Sequence, residues 1–201
     1  MKQLLPFLLL LPLASQAQIG GRAAFPFLTL PPSAQVAALG GMTASTRSSD
    51  PTQFFASPAL LNADMDHAAA VSYVSYVSDI KQSTAAYAFN TEKRGRFGLG
   101  LTYLNYGSLQ SYDAAGNSLG TFSVNEYALA VADSYTKGKF TAGVTAKLAV
   151  SGIAGNRALG LAGDAGILYK PSDKDFTVGL ALKNAGYMLV PYTAASREPL
   201  P

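Results

Sequence analysis

The sequence predicts an all-β chain: antiparallel strands of a transmembrane outer-membrane β-barrel, about seven of them present, behind an irregular N-terminal segment. Three observations carry this. Segments of about ten residues alternate with period two, each with one apolar and one small or polar face, the span of a tilted strand through hydrocarbon. Charged residues make up 13% of the chain, while Tyr and Phe total 21 and Gly reaches 19. A soluble domain carries roughly 25% charge, so the composition fits a barrel wall better than a water-facing surface. Finally, aromatic residues gather beside the shorter turns.

The elements follow in chain order. Met1-Lys2 supply a short positive start, Leu4 to Leu13 an apolar run broken by Pro6 and Pro12, and Ser15-Gln16-Ala17 the small residues before a cut. This is the layout of a cleaved secretory signal, too short to span a bilayer. Residues 1–17 are read as signal peptide, cleaved after Ala17. Residues 18–66 are rich in Ala, Pro, Gly and Ser, with Pro31-Pro32, Gly40-Gly41, Asp50-Pro51 and Ser57-Pro58 as breakers. Ala34 to Leu39 suggest a helical turn stopped at Gly40. The segment does not alternate and is a candidate to pack inside the sheet as a plug.

Residues 67–186 carry the strands, at about 68–78, 80–90, 96–106, 123–135, 140–151, 158–169 and 176–186. In the fifth, Phe140, Val144, Leu148 and Val150 alternate with Thr141, Thr145, Lys147 and Ser151. The connections alternate in length. Thr91–Arg96, Thr136–Lys139 and Pro171–Asp175 read as tight turns, Ser108–Phe122 and Ser151–Arg157 as longer loops, the asymmetry of an outer-membrane barrel. Phe97, Tyr135, Phe140, Tyr169 and Phe176 flank the tight turns on the apolar face and form a candidate interfacial girdle. A soluble sandwich shares the alternation but not the ordering of aromatics. Seven strands alone would leave backbone edges unpaired in lipid, and bacterial barrels use even counts. The expectation is a piece of a longer barrel, with 187–201 as an interrupted loop.

Chemistry is thinly represented. No Cys occurs and His67 is the sole histidine, which leaves little material for a catalytic triad or metal site, and no cofactor is expected. Ser78-Asp79-Ile80-Lys81 fits an S-x-x-K pattern, but the partner motifs are missing and Ser78 sits at a turn. The pI near 9.0 comes from scattered Lys and Arg rather than a basic stripe, so no nucleic-acid partner is implied. Lys147, Asp164 and Lys183 fall on the small-residue face of three consecutive strands. They are a candidate ionic cluster inside the barrel, read first as a structural ion pair and second as a contact for substrate or partner.

Leu39-Gly40-Gly41, Asp50-Pro51 and Phe54-Phe55-Ala56-Ser57-Pro58-Ala59-Leu60 resemble the N-terminal signature of FadL-like outer-membrane barrels, with Ser57 where Asn is usual. Gln18-Ile19-Gly20-Gly21-Arg22, Phe27-Leu28 and Ser75 to Lys81 extend the resemblance to the PorQ-like family of type IX secretion system proteins. The resemblance implies about fourteen strands in all and a non-enzymatic role. That role is anchoring a surface complex for cargo attachment, with a PorZ-type extracellular protein as partner and recognition at the outer loops. The alternative is a FadL-like channel for hydrophobic small molecules, which requires an apolar pocket within. The inward positions Ala128, Ala130, Ala132, Gly143, Gly160 and Ala162 are small and offer little of one.

Overall fold

The computed structural model describes residues 25–91, 95–171 and 176–192. Seven strands form one sheet in chain order: β1 (Ala68–Ser75), β2 (Lys81–Thr91), β3 (Gly95–Tyr112), β4 (Ser118–Lys137), β5 (Phe140–Ile153), β6 (Asn156–Tyr169) and β7 (Val178–Val190). Each adjacent pair is antiparallel. The fold is all-β, with little helix. Among the described residues no helix is long and apolar enough to cross a membrane.

Period two sets the two faces. Leu101, Leu129, Leu148 and Leu161 occupy successive register positions from β3 to β6 on the outer face. One residue along, Gly100, Ala130, Lys147 and Ala162 form the matching inner row. Leu99, Val144 and Leu180 are 43%, 60% and 74% exposed, while Gly100 and Thr145 are buried. The small face is therefore the covered one and the apolar face is bare, the reverse of a two-sheet sandwich.

What covers the small face is the chain's own N-terminal segment. It comprises 3-10 turns at Pro26–Thr29, Pro51–Phe55, Pro58–Leu60 and Ala63–Met65 and one short helix, α1 (Ala34–Ala38). Ser33 caps α1 by accepting from the Val36 amide, and Gly40 and Gly41 leave it at φ +84° and +81°, conformations that favour glycine. The turns at Pro51–Phe55 and Pro58–Leu60 together touch β1 through β6. Seven flat strands at ~4.8 Å spacing would be about 29 Å wide, so the sheet curls around the segment. Three apolar clusters result, one of Phe25 and Phe27 with Leu104, Ala128, Ala149, Ala158 and Ala162, a second of Phe54, Phe55, Leu61 and Met65 with Ala86, Ala88, Ala130 and Ala132, and a smaller one of Ala59 and Leu60 with Leu168.

The connections correct the sequence reading in several places. Ser108–Phe122 is not a loop. β3 and β4 continue through it, pairing Ser108 with Ser123, Leu109 with Phe122 and Gln110 with Thr121 across two register shifts, and only Asp113–Asn117 turns. Ser151–Arg157 is strand on both sides of a two-residue turn, Ala154-Gly155, with φ +47° and +87°, the primed-turn geometry that matches strand twist. β1 ends at Ser75 rather than near 78, because Ser78 and Asp79 take φ +61° and +62° in the turn. β7 runs to Val190, so residues 187–190 are strand rather than loop. The predicted tight turns at 91–96 and 171–175 fall partly, and the signal peptide and residues 193–201 wholly, outside the described residues.

Candidate functional site

The site is the seam between the N-terminal segment and the inner face. Glycines on the strands make room for it. A Cβ at Gly98 would lie 2.8 Å from the Phe54 ring, and one at Gly100 would meet the rings of both Phe55 and Phe54. At Gly143 it would lie 2.7–2.8 Å from the Pro58 carbonyl group, at Gly166 it would strike Ser57 Oγ, and at Gly179 the Ala44 backbone. Each glycine thus removes the one atom that would hold the segment off the strand. Phe54 and Phe55 stack with centroids 4.4 Å apart, and Ser57, Pro58, Ala59 and Leu60 are all buried.

Within the segment, Asp50 caps the turn at Pro51 by accepting from the Thr52 amide at 2.9 Å, and Ser33 Oγ donates to its other oxygen at 3.4 Å. Leu39 stands exposed at the end of α1 and does not enter the seam. Ser57 Oγ is buried without a hydrogen-bond partner among the described residues. Asn62, overlooked in the sequence, does the tying instead: Nδ2 donates to the Ser48 and Leu60 carbonyls at 2.8 and 3.1 Å, while Oδ1 accepts from the Asp64 amide. Gln82 of β2 is a second overlooked tie. Its Nε2 donates to the Pro31 carbonyl at 3.2 Å and its Oε1 accepts from Tyr76 Oη at 2.9 Å. Partial burial raises the Tyr76 phenol above its ordinary value.

The predicted ionic cluster is differently composed. Lys147 Nζ lies 2.6 Å from Asp164 Oδ2, and the two are 3% and 4% exposed. The third member is Asn184. Its backbone N–H donates to Asp164 Oδ1 at 2.8 Å, its Oδ1 accepts from Lys147 Nζ at 2.9 Å, and its Nδ2 reaches the Leu28 carbonyl of the covering segment at 3.5 Å. A β-bulge makes this geometry. The register passes from Gly163↔Ala185 to Ala165↔Leu182, so Lys183 and Asn184 together oppose Asp164, with Asn184 at φ +55°. A bulge re-aims a side chain that strict alternation would send outward. Lys183 also faces inward, lining a small hollow with Lys147, Phe27, Leu28, Leu30 and Phe55, but it makes no ion pair among the described residues. That hollow, about 20 Å³, has room for a single water.

On the outer face, the five predicted girdle aromatics do not form one continuous row. Phe140, Tyr169 and Phe176 lie in sequence with centroids 4.8 and 6.3 Å apart. Phe97 instead stacks on Phe89 at 5.5 Å, and Phe89 on Tyr87 at 5.9 Å. Tyr135 stands exposed on β4, two residues from Asp133, which pairs across from Phe97. A further pair, Tyr103 and Tyr127 at 4.9 Å, lies toward the opposite end of the strands. Ser78 and His67 are exposed in connections, His67 Nδ1 being 2.9 Å from Tyr87 Oη. Comparison with protein-family models, with characterised proteins and with solved structures yields no match.

Proposed function

We propose that the chain is a wall section of an outer-membrane β-barrel whose lumen is occupied by its own N-terminal segment, and that it serves as a non-enzymatic anchor rather than an open pore. One observation carries this: the uncovered face is the apolar one, and the small, glycine-rich face is filled by residues 25–66. Exposed leucines and valines in this density suit lipid tails. Strands beyond these seven would close the wall, since lipid leaves no partner for an unpaired strand edge. The resemblance to PorQ-like proteins supplies the finer reading. The exported chain resides in the bacterial outer membrane and anchors the surface cargo-attachment complex of a type IX secretion system through a PorZ-type partner. The paired β3–β4 ribbon past Asn105, which neither β2 nor β5 borders, suits that recognition.

The test has two stages. Full-length protein is expressed in its native membrane and washed with carbonate; release into the supernatant ends the barrel reading. Retained protein is then solubilised in detergent and used as bait. Recovery of a surface protein supports the anchor, whereas bound fatty acid without protein supports the FadL-like channel. One feature favours that second reading, an apolar hollow of about 370 Å³ lined by Leu30, Tyr76, Val77, Ile80, Leu104 and Tyr106.

A further inference from the structure

Toward the β3–β4 ribbon, the outer face changes character within one residue pair. Tyr103, Tyr127, Val150 and Leu159 occupy one register row across β3 to β6. The next outward-facing row is Asn105, Asn125, Gly152 and Arg157. Gly152 leaves a notch between Asn125 and Arg157. A Cβ there would find only the Asn125 carbonyl oxygen, at 3.8 Å. The hollow, about 430 Å³, is lined by Ser123, Asn125, Tyr127, Val150, Asn156 and Arg157 among others. One water accounts for about 30 Å³ of liquid, so the space suits a larger group.

Its polar chemistry is mostly that of a donor. Asn125 Oδ1 already accepts from Tyr103 Oη at 2.8 Å and from Asn105 Nδ2 at 2.6 Å, while its own amide is engaged only at 3.5 Å, by Ser123 Oγ. Arg157 is exposed and makes no ion pair among the described residues, and no carboxylate lines the hollow. A guanidinium offers five N–H donors in a planar fork that matches phosphate, and its charge shortens and strengthens those bonds. Directly below lies the bare apolar surface of Leu148, Val150 and Leu161.

We propose that this ledge holds the phosphate of a lipid headgroup, gripped by Arg157 and Asn125, with the acyl chains lying over Leu148, Val150 and Leu161. The proposal rests on the outer-membrane reading above. Its occupant is a lipid phosphate rather than a free ion because the Arg157 guanidinium and the apolar floor are contiguous.

The full-length protein is reconstituted into phosphatidylcholine vesicles, floated, re-extracted in mild detergent with bis-phosphorylated lipid A, and examined by native mass spectrometry. Retention of one lipid A is expected, weakened about ten-fold or more by Arg157→Gln, as for loss of a charged hydrogen bond. Gly152→Leu, which fills the notch, weakens it similarly, and Lys170→Gln at the opposite end of the strands leaves it unchanged. Dephosphorylated lipid A fails to bind, and millimolar inorganic phosphate does not displace the lipid. Equal retention by Arg157→Gln, or displacement by inorganic phosphate, overturns the proposal while the protein still floats. Protein that does not float refutes the membrane reading itself, and circular dichroism confirms that all three variants keep their strands.

Discussion

Asn184 meets Asp164 through its backbone, the N–H donating to Oδ1 at 2.8 Å, because a left-handed residue in β7 faces inward where alternation would face it out. The same residue accepts from Lys147 and reaches toward Leu28. Asn184 is therefore the junction of strands β5, β6 and β7 with the covering segment.

Separating backbone from side chain at this junction gives the first prediction. Asn184→Gly keeps the left-handed conformation and the N–H donor but loses the acceptor for Lys147. Asn184→Ala loses the acceptor and adds the left-handed penalty, about 1–2 kcal/mol. The alanine variant is expected to be the less stable by that margin in urea titrations followed by circular dichroism. Equal midpoints would show that the bulge is not held left-handed.

Removing one partner of a buried ion pair leaves the other charge stranded, at about 3–5 kcal/mol. Lys147→Met is expected to lower unfolding stability by that amount. The double variant Lys147→Met with Asp164→Leu recovers part of the loss, since it removes the stranded charge but leaves the buried Asn184 N–H without its acceptor. A double variant no better than the single would locate the cost in packing rather than in charge.

The glycine contacts rank themselves by what an added methyl would strike. At Gly98 it meets only side-chain atoms of Phe54; at Gly143 it meets the Pro58 backbone. Gly143→Ala is expected to cost about 1–3 kcal/mol as overpacking and to expose residues 51–60 to limited proteolysis. Gly98→Ala costs less. The reverse order of protease sensitivity would contradict the seam described above.

A charge on the bare face separates a lipid-facing wall from a water-facing one. Val144→Arg is expected to cost about 2–4 kcal/mol in bilayer folding, the depth-dependent penalty at a barrel midplane. The same variant in a water-exposed strand would stay within about 0.5 kcal/mol. Vesicle-folding titrations of wild type and variant decide between them.

At the ribbon tip, Asp113 accepts from Asn117 Nδ2 and from the Asn117 and Ala115 amides. These bonds, the Asn117 side chain foremost, hold its carboxyl below the ordinary value of 3.8. A depressed folded-state value means that the ionised form orders the turn. The order is complete above pH 3.8 and is lost as pH falls through the lower folded value. Amide shifts of Ala115 and Asn117 are expected to move together below that point, and Asp113→Ala to abolish the transition. A midpoint above 3.8 would reverse the sign.

Alternation over Phe140–Ser151 was legible in the sequence because a long strand repeats one rule for a dozen residues, and the structure keeps that parity throughout β5. The β3–β4 ribbon was not. Its Ser, Gly, Gln and Asn text has turn chemistry at every step, and only cross-strand pairing makes it strand. The placement of Lys147 and Asp164 on a shared face followed from parity alone. Asn184 was missed because a bulge breaks that parity, and Lys183-Asn184-Ala185-Gly186 carries no mark of one beyond Asn's tolerance of left-handed backbone. Asn62 and Gln82 act on carbonyls, which no residue pattern reports.

Leu28 and Asn184 stand 156 positions apart in the chain, and this separation orders assembly in time. A contact of that span closes after the intervening hairpins have formed, since each of those needs only a short loop. The Leu28 end of the segment that precedes the strands is thus the last to be secured, and until β7 pairs that contact stays open. Variants that slow the β6–β7 pairing should lengthen that interval, leaving Leu28 open to chaperones that a finished molecule would not engage, while Phe54 and Phe55 are already seated on β2 to β4.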